Sequence, residues 1–346
     1  MTRLSSLDAA ILDAVQQGVP IALRPFAVIG ERLRLPEDTV ITCIRRLKSE
    51  HPIIRQISAI FDTRALGYAS ALVAARCDRD RLDEAATVIN THPGVSHNYG
   101  RDHAFNLWYT LAVPPGSRLG LDGTIQRLHE LSGALSTRKM QTLRVFKIGV
   151  RLDVRGDRAP DSQAPTDAYD EDDQLEARSY GLSDADIRAV RALQLDLPLV
   201  PSPFEVLAAE VGMTAADLVA AANRFLERKQ MRRFAAVLHH REAGFMFNCM
   251  GVWNVPDDRA EEVGRVMAAF DAVSHCYLRP RFDDWPYNLF TMVHGRSRED
   301  CLSVLDAIAR ATGIRERDGL WSTKEYKKIR IRYFTPETGE WEARYG

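Results

Sequence analysis

No stretch of this sequence stays apolar for the roughly 18 residues that a membrane-crossing helix needs, which excludes a helical membrane protein. Met1 to Ala10 lack a basic patch followed by an apolar run, so no secretory leader is expected and the cytoplasm is the expected compartment. Cysteine is sparse and scattered: Cys43, Cys77, Cys249, Cys276 and Cys301, an odd number with no Cys-x-x-Cys pair. That argues against a disulfide framework and a zinc site and fits a reducing environment. A basic surplus is also missing. The chain has 46 Lys and Arg against 47 Asp and Glu, a net charge of −1, whereas proteins that live on nucleic acid usually carry an excess of cations. There is no Gly-rich phosphate loop, no metal-ligand spacing and no Ser-His-Asp signature, so no metal of the protein's own is expected.

What the 346 residues do contain is an internal repeat. Pro25-Phe26-Ala27-Val28 matches Pro203-Phe204-Glu205-Val206, and Val95-Ser96-His97-Asn98-Tyr99-Gly100-Arg101 matches Val273-Ser274-His275-Cys276-Tyr277-Leu278-Arg279 at the same separation. Phe105-Asn106-Leu107-Trp108 matches Tyr287-Asn288-Leu289-Phe290 four residues further on, so the second copy carries a four-residue insertion. Between the copies lies an acidic, Pro-containing stretch with little to bury, read as a flexible linker. The expected organisation is a helix-turn-helix domain over 1–64, a sandwich over 65–155, the linker over 156–180, a second helix-turn-helix domain over 181–243 and a second sandwich over 244–346.

Hydrophobic spacing supports this. Leu7, Ile11, Leu12 and Val15 form a helical stripe behind Ser5 and Ser6. Phe26, Ile29 and Leu33 begin a second helix, and Pro36-Glu37-Asp38 opens a third that buries Val40, Ile41, Ile44 and Leu47. Ile53 to Ile60 reads as a wing strand. Strands at 68–77, 95–103, 105–113 and 141–151, with helices at 80–91 and 117–132, complete a βαββαβ order. The second copy repeats it. The fold class is therefore α+β: two tandem modules, each a winged helix-turn-helix plus a ferredoxin-like sandwich.

The segment Val95 to His103 carries the chemistry. With period-two alternation, His97, Tyr99, Arg101 and His103 share one strand face and Ser96, Asn98, Gly100 and Asp102 the other. The second copy presents His275, Tyr277 and Arg279, with Arg281 next if the strand passes Pro280. A row of imidazoles, a phenol and guanidinium groups on a stiff element suits a ligand with several carboxylates, clamped by Arg and served by His as proton carrier. The plainer alternative is a solvated strand face with incidental histidines. Basic residues crowd the last strands: Arg138, Lys139, Arg144, Lys147 and Arg151, then Lys324, Lys327, Lys328, Arg330 and Arg332. They form either an edge protected against aggregation or a wall attracting a polyanion. The first helix-turn-helix offers Thr39, Thr42, Arg45, Arg46 and Lys48 to DNA. Its counterpart, Met213 to Asn223, is alanine-rich and nearly free of cations, so stable nucleic-acid binding is not expected.

A helix-turn-helix followed by βαββαβ resembles the Lrp/AsnC-like transcription regulators over both copies. Within that superfamily, His97-Asn98-Tyr99-Gly100-Arg101-Asp102-His103-Ala104-Phe105-Asn106-Leu107-Trp108-Tyr109-Thr110-Leu111 is similar to the signature block of the siroheme decarboxylases. The resemblance implies loss of CO2 from the acetate side chains at positions 12 and 18 of siroheme, giving didecarboxysiroheme in heme d1 biosynthesis. It implies no cofactor beyond the iron inside the substrate, and a fused pair of subunits acting as an internal pseudo-dimer. On this reading His97, His103 and His275 handle protons, the first copy supplying most of them, because the second has Arg279-Pro280-Arg281 in place of Arg101-Asp102-His103. Tyr99, Arg101, Asn106, Trp108, Tyr277, Arg279 and Asn288 contact the tetrapyrrole, with ordinary core packing the favoured role for Trp108. The alternative function is an Lrp/AsnC-like regulator that senses heme or a metabolite.

Overall fold

The computed structural model describes residues 5–50, 52–148, 162, 176–238 and 247–346, which fall into two compact units. The expected linker lies almost wholly outside the described residues; at its end, 176–179 is helical and Ala177 is buried.

One unit gathers both helix-turn-helix segments. α1 (Ser6–Gln17) starts where the Ser5 hydroxyl accepts a hydrogen bond from the Asp8 amide. Its inner face is Asp8, Ile11 and Val15, while Leu7 lies exposed. α2 (Pro25–Leu33) begins on a proline, whose fixed φ suits the first turn. α3 (Glu37–Ser49) buries Val40, Ile41, Ile44 and Leu47 as their spacing predicts. The second copy supplies α6 (Asp184–Leu193), opened by a Ser183/Asp186 capping box, then α7 (Pro203–Glu210) and α8 (Ala215–Glu227). The expected wing differs. β1 (Ile54–Phe61) pairs antiparallel with β7 (Met231–Leu238) of the other copy, so each copy lends one strand to a shared ribbon.

The other unit holds both sandwiches. The first runs β2 (Ala69–Arg76), α4 (Leu82–Asn90), β3 (Val95–Arg101), β4 (Leu107–Val113), α5 (Gly120–Ser132) and β5 (Ser136–Met140). The second runs β8 (Phe247–Trp253), α9 (Ala260–Ala269), β9 (Val273–Leu278), β10 (Leu289–Gly295), α10 (Arg298–Thr312) and β11 (Arg317–Lys328). The single last strand expected at 141–151 is instead β5 followed by β6 (Arg144–Ile148), because this part of the chain serves two sheets. β5 pairs with β2 of its own copy and β6 with β9 of the other. β11 does the same in one piece: Arg317–Trp321 pair with β8, and Ser322–Lys328 pair with β3.

Among the described residues nine strands therefore join in the order β5-β2-β4-β3-β11-β8-β10-β9-β6. The two outermost strands are linked by only Gln141–Leu143, which can span no more than about 14 Å, so the sheet must curl back towards itself. Two cores lie between sheet and helices, one in each half. A third consists of strand and loop residues alone, including Trp108, Met140, Met250, Trp285, Phe290 and Leu320, where the helix-free faces meet. The two sandwiches are thus in intimate mutual contact, as an internal pseudo-dimer requires. All five cysteines are buried and free.

Candidate active site

The helix-free face of β3 and β9 carries the two His-x-Tyr-x-Arg rows. His97 and Tyr99 are half-buried, with ring centroids 6.2 Å apart; His275 and Tyr277 repeat this at 6.0 Å. Behind each tyrosine lies a buried arginine, 5.5 Å from the ring centre for Arg101 and 4.8 Å for Arg279. Each arginine reaches into the last strand of the other copy: Arg101 Nη1 donates to the Leu320 carbonyl at 3.0 Å, and Arg279 Nη1 donates to the Met140 carbonyl and to Thr142 Oγ1. Burial pulls the Arg101 guanidinium down to about 10, which still leaves it cationic at neutral pH. Its Nε is buried without a hydrogen-bond partner among the described residues. Gly100 packs closely on β11: a Cβ there would lie 2.8 Å from Thr323 Oγ1, so that side chain would have to shift.

Period-two alternation fails at one position. A register shift in the β3–β4 ladder falls at Ser96, and one in the β9–β10 ladder falls at Ser274. Such bulges re-aim a side chain. Ser96 Oγ lies 3.0 Å from His97 Nδ1 and 2.7 Å from Thr110 Oγ1. Ser274 Oγ lies 2.9 Å from His275 Nδ1 and 2.9 Å from His294 Nε2. Strict alternation puts Ser96 on the opposite face and does not single out Ser274, Thr110 or His294; the Val-Ser-His triplet present in both copies is the available signal.

Other expected site residues sit elsewhere. β3 ends at Arg101, so His103 leaves the row. Its Nδ1 accepts from the Phe105 amide at 3.1 Å, and its ring meets Trp285 edge-on at 5.2 Å. Burial lowers its pKa, opposed by Asp318 and Asp102. Asn106 spends its amide on the backbone: it accepts from Cys77 N and donates to Cys77 O, both at 2.9 Å, clamping the end of β2. Asn288 does the same to the Val255 backbone. Trp108 is a core residue whose Nε1 donates to the Phe105 carbonyl. β9 stops at Leu278, and Arg281 is spent on Asp257, Asn254, Val255 O and Pro286 O. The four-residue insertion delivers Trp285, fully buried, against Trp108, Phe105 and Phe290.

The basic last strands are largely tied down. Arg138 pairs bidentately with Asp284, Lys324 with Asp83 and Arg144 with Glu261, while Lys327 donates to the Asn90 and His92 carbonyls. Arg151 lies outside the described residues. The described residues contain no cluster of His, Cys, Asp or Glu suited to a metal, and no helix long and apolar enough to cross a membrane.

These features define a class: a duplicated AsnC-like protein whose ligand-binding domains are fused through exchanged strands. The AsnC-like ligand binding domain family matches residues 65–147 and 242–327, and the siroheme decarboxylase NirDL-like HTH domain family matches 8–55 and 186–232. A siroheme decarboxylase of Hydrogenobacter thermophilus is 38% identical over 331 residues, 96% of each chain. A siroheme decarboxylase beta subunit of Methanosarcina barkeri is 44% identical over 147 residues, covering 42% of this chain and 97% of its own. Among solved structures, the siroheme decarboxylase NirDL superposes with a TM-score of 0.78 at 34% identity over 98% of both chains, and the same protein has been solved with an iron-uroporphyrin III analogue. The chain belongs to the siroheme decarboxylase family.

Proposed function

We propose that this protein is a carbon–carbon lyase that decarboxylates siroheme, removing CO2 from the acetate groups at positions 12 and 18 to give 12,18-didecarboxysiroheme. The observation that carries the reading is the duplicated row of half-buried histidine, tyrosine and buried arginine on the helix-free face of a shared sheet, in a chain that aligns end to end with a siroheme decarboxylase. The reaction calls for fixed cations to hold carboxylates, a proton for the carbon that becomes a methyl group, and a site that solvates the departing carboxylate poorly. Arg101 and Arg279 answer the first need, each already oriented by a backbone carbonyl. His97 and His275 answer the second, their Nδ1 atoms held by serine hydroxyls. Tyr99 and Tyr277 offer ring faces to the macrocycle. His103, with Nδ1 accepting from a backbone amide, is left with Nε2 as its donor and stands as a secondary candidate.

Proton delivery of this kind accounts for about 10²–10⁴-fold, and the positioned cations must supply the rest. The substrate carries its own iron, and the reaction as written uses no further cofactor. Cytoplasmic residence is part of the same reading. Anaerobic incubation of the purified protein with siroheme, followed by mass spectrometry, is expected to show loss of first one and then two CO2. Unchanged siroheme after many equivalents of enzyme would overturn it.

A further inference from the structure

We propose that Ser274 and His294 form a proton relay that recharges His275, which makes the second copy the half that delivers protons to the substrate. This rests on the decarboxylase reading and adds to it.

The two copies share the bulged serine and differ in what stands behind it. Ser274 Oγ has three neighbours: His275 Nδ1 at 2.9 Å, His294 Nε2 at 2.9 Å and the Met292 carbonyl at 3.2 Å. A hydroxyl has one proton and two lone pairs, so it can donate to one of the three at a time. When it turns to His275 Nδ1, His294 must face Oγ with an N–H, and neutral His275 carries its own proton on Nε2. That is a wire of aligned donors: His294 Nε2–H to Ser274 Oγ and Ser274 O–H to His275 Nδ1, with His275 Nε2–H as its last donor. When the hydroxyl turns to the Met292 carbonyl, the wire is parked. Ser274 is buried and His294 only half-buried, so the chain runs from a group that solvent reaches, through one that it does not.

In the first copy, Ser96 Oγ meets Thr110 Oγ1 where Ser274 meets His294, and Thr110 Oγ1 already accepts from the His97 amide at 3.2 Å. Threonine does not titrate near neutral pH, so that chain ends there. The serine beside His97 is thus backed by a hydroxyl, and the one beside His275 by an imidazole.

The step balances. The bond between the acetate methylene and its carboxylate breaks, CO2 leaves, and the electron pair stays on the carbon. That carbon takes the Nε2 proton of His275 while the Ser274 proton moves to Nδ1, the His294 Nε2 proton moves to Oγ and water protonates His294 Nδ1, so that neither imidazole becomes an anion. Proton exchange then returns both imidazoles to their Nε2–H tautomers before the next CO2 leaves. One proton enters for each CO2 lost, and no oxidant or reductant is needed. Ser274 and His294 act through His275 and are positioning residues. The assignment runs against the expectation that the first copy, with its extra histidine, supplies most of the proton transfer.

The test is steady-state turnover of siroheme by the full-length protein, with tetrapyrrole affinity followed by absorbance. Ser274→Ala and His294→Thr should each lower kcat by about 10–100-fold while leaving KM and Kd within about twofold. Ser274→Thr, which keeps the hydroxyl, should restore most of the rate, and added imidazole should partly rescue His294→Ala. Ser96→Ala should lose less than Ser274→Ala. Unchanged kcat in Ser274→Ala and His294→Thr would sink the relay, and equal losses in Ser96→Ala and Ser274→Ala would sink the division of labour. If the unaltered protein does not turn siroheme over, the decarboxylase reading is what fails.

Discussion

Arg101 is a buried cation with one side of its guanidinium held by Leu320 O and an Nε left for something else. Changing it to alanine should weaken tetrapyrrole binding by about 10–100-fold, the worth of a charged hydrogen bond. Changing it to lysine should not restore binding, because a point charge cannot reproduce the fork. Absorbance titration measures both, and wild-type affinity in Arg101→Ala would refute the role. Trp108→Ala should behave differently, costing about 3–5 kcal/mol of stability in urea melts. At this scale the sequence was informative where regular alternation held: His97, Tyr99 and Arg101 do lie in one row. It misled where the backbone departs from the pattern. A bulge is not written in hydrophobic spacing, so alternation places Ser96 on the wrong face. The end of β3 took His103 out of the row. A repeated polar residue such as Asn106 signals structure and binding alike; its two bonds to Cys77 supply the structural role.

Between elements, the exchanged strands are held by close contacts of the kind that single atoms disturb. The Phe146 ring on β6 packs against Gly264 on α9, where a Cβ would stand 2.3 Å from the ring. Gly264→Ala should therefore destabilise by about 1–3 kcal/mol, and Phe146→Ala in the same chain should recover part of that loss. Additive costs in a double-mutant cycle would contradict the packing. α11 (Glu337–Tyr345) covers His92, whose ring meets Trp341 at 4.6 Å. Burial, assisted by the nearby Lys327 cation, pulls His92 down to about 4, while Glu342 pulls the other way. Below about 6.5 the unfolded chain takes up a proton that the folded chain refuses, so stability falls as pH falls until the folded state also protonates near 4. Between pH 7 and 5 this one residue should cost about 2 kcal/mol, and the loss should shrink accordingly in His92→Leu. The βαββαβ order was legible from periodicity because each of its strands buries one face within its own copy. The wing and the last strand were not, since β1, β6 and the far half of β11 find their partners in the other copy, and hydrophobic spacing says nothing about which partner a strand takes.

For the whole chain, duplication was readable from three matched blocks, and the fused architecture follows. Cutting within 156–180 and producing the two halves together should give a one-to-one complex that purifies through a tag on either half, as the half-length relative suggests. Either half alone should aggregate, because β3 and β9 would each expose an open edge. Two independently soluble, monomeric halves would contradict this. Duplex DNA should not bind with submicromolar affinity at physiological salt. The cations of α3 are already engaged, Arg46 by Asp8, Lys48 by Asp196 and Arg45 by the Leu199 carbonyl, and the matching helix of the second copy has few to offer. A gel shift resistant to competitor DNA would show otherwise.

The pairing of β3 with β11 also sets a clock on synthesis. Residues 97–101 wait for 322–328, which are made about 220 residues later, many seconds at about 5–20 residues per second. Until then β3, with its histidine, tyrosine and arginine, lacks the strand that completes its ladder. β6, meanwhile, is made well before β9 and must wait for it. The sheet can therefore close only late and over long sequence distances, a slow class of folding in which a nascent chain is open to capture by its neighbours on the same message. A chaperone that shields strand edges should raise the yield of this protein more than it raises that of a single-copy relative.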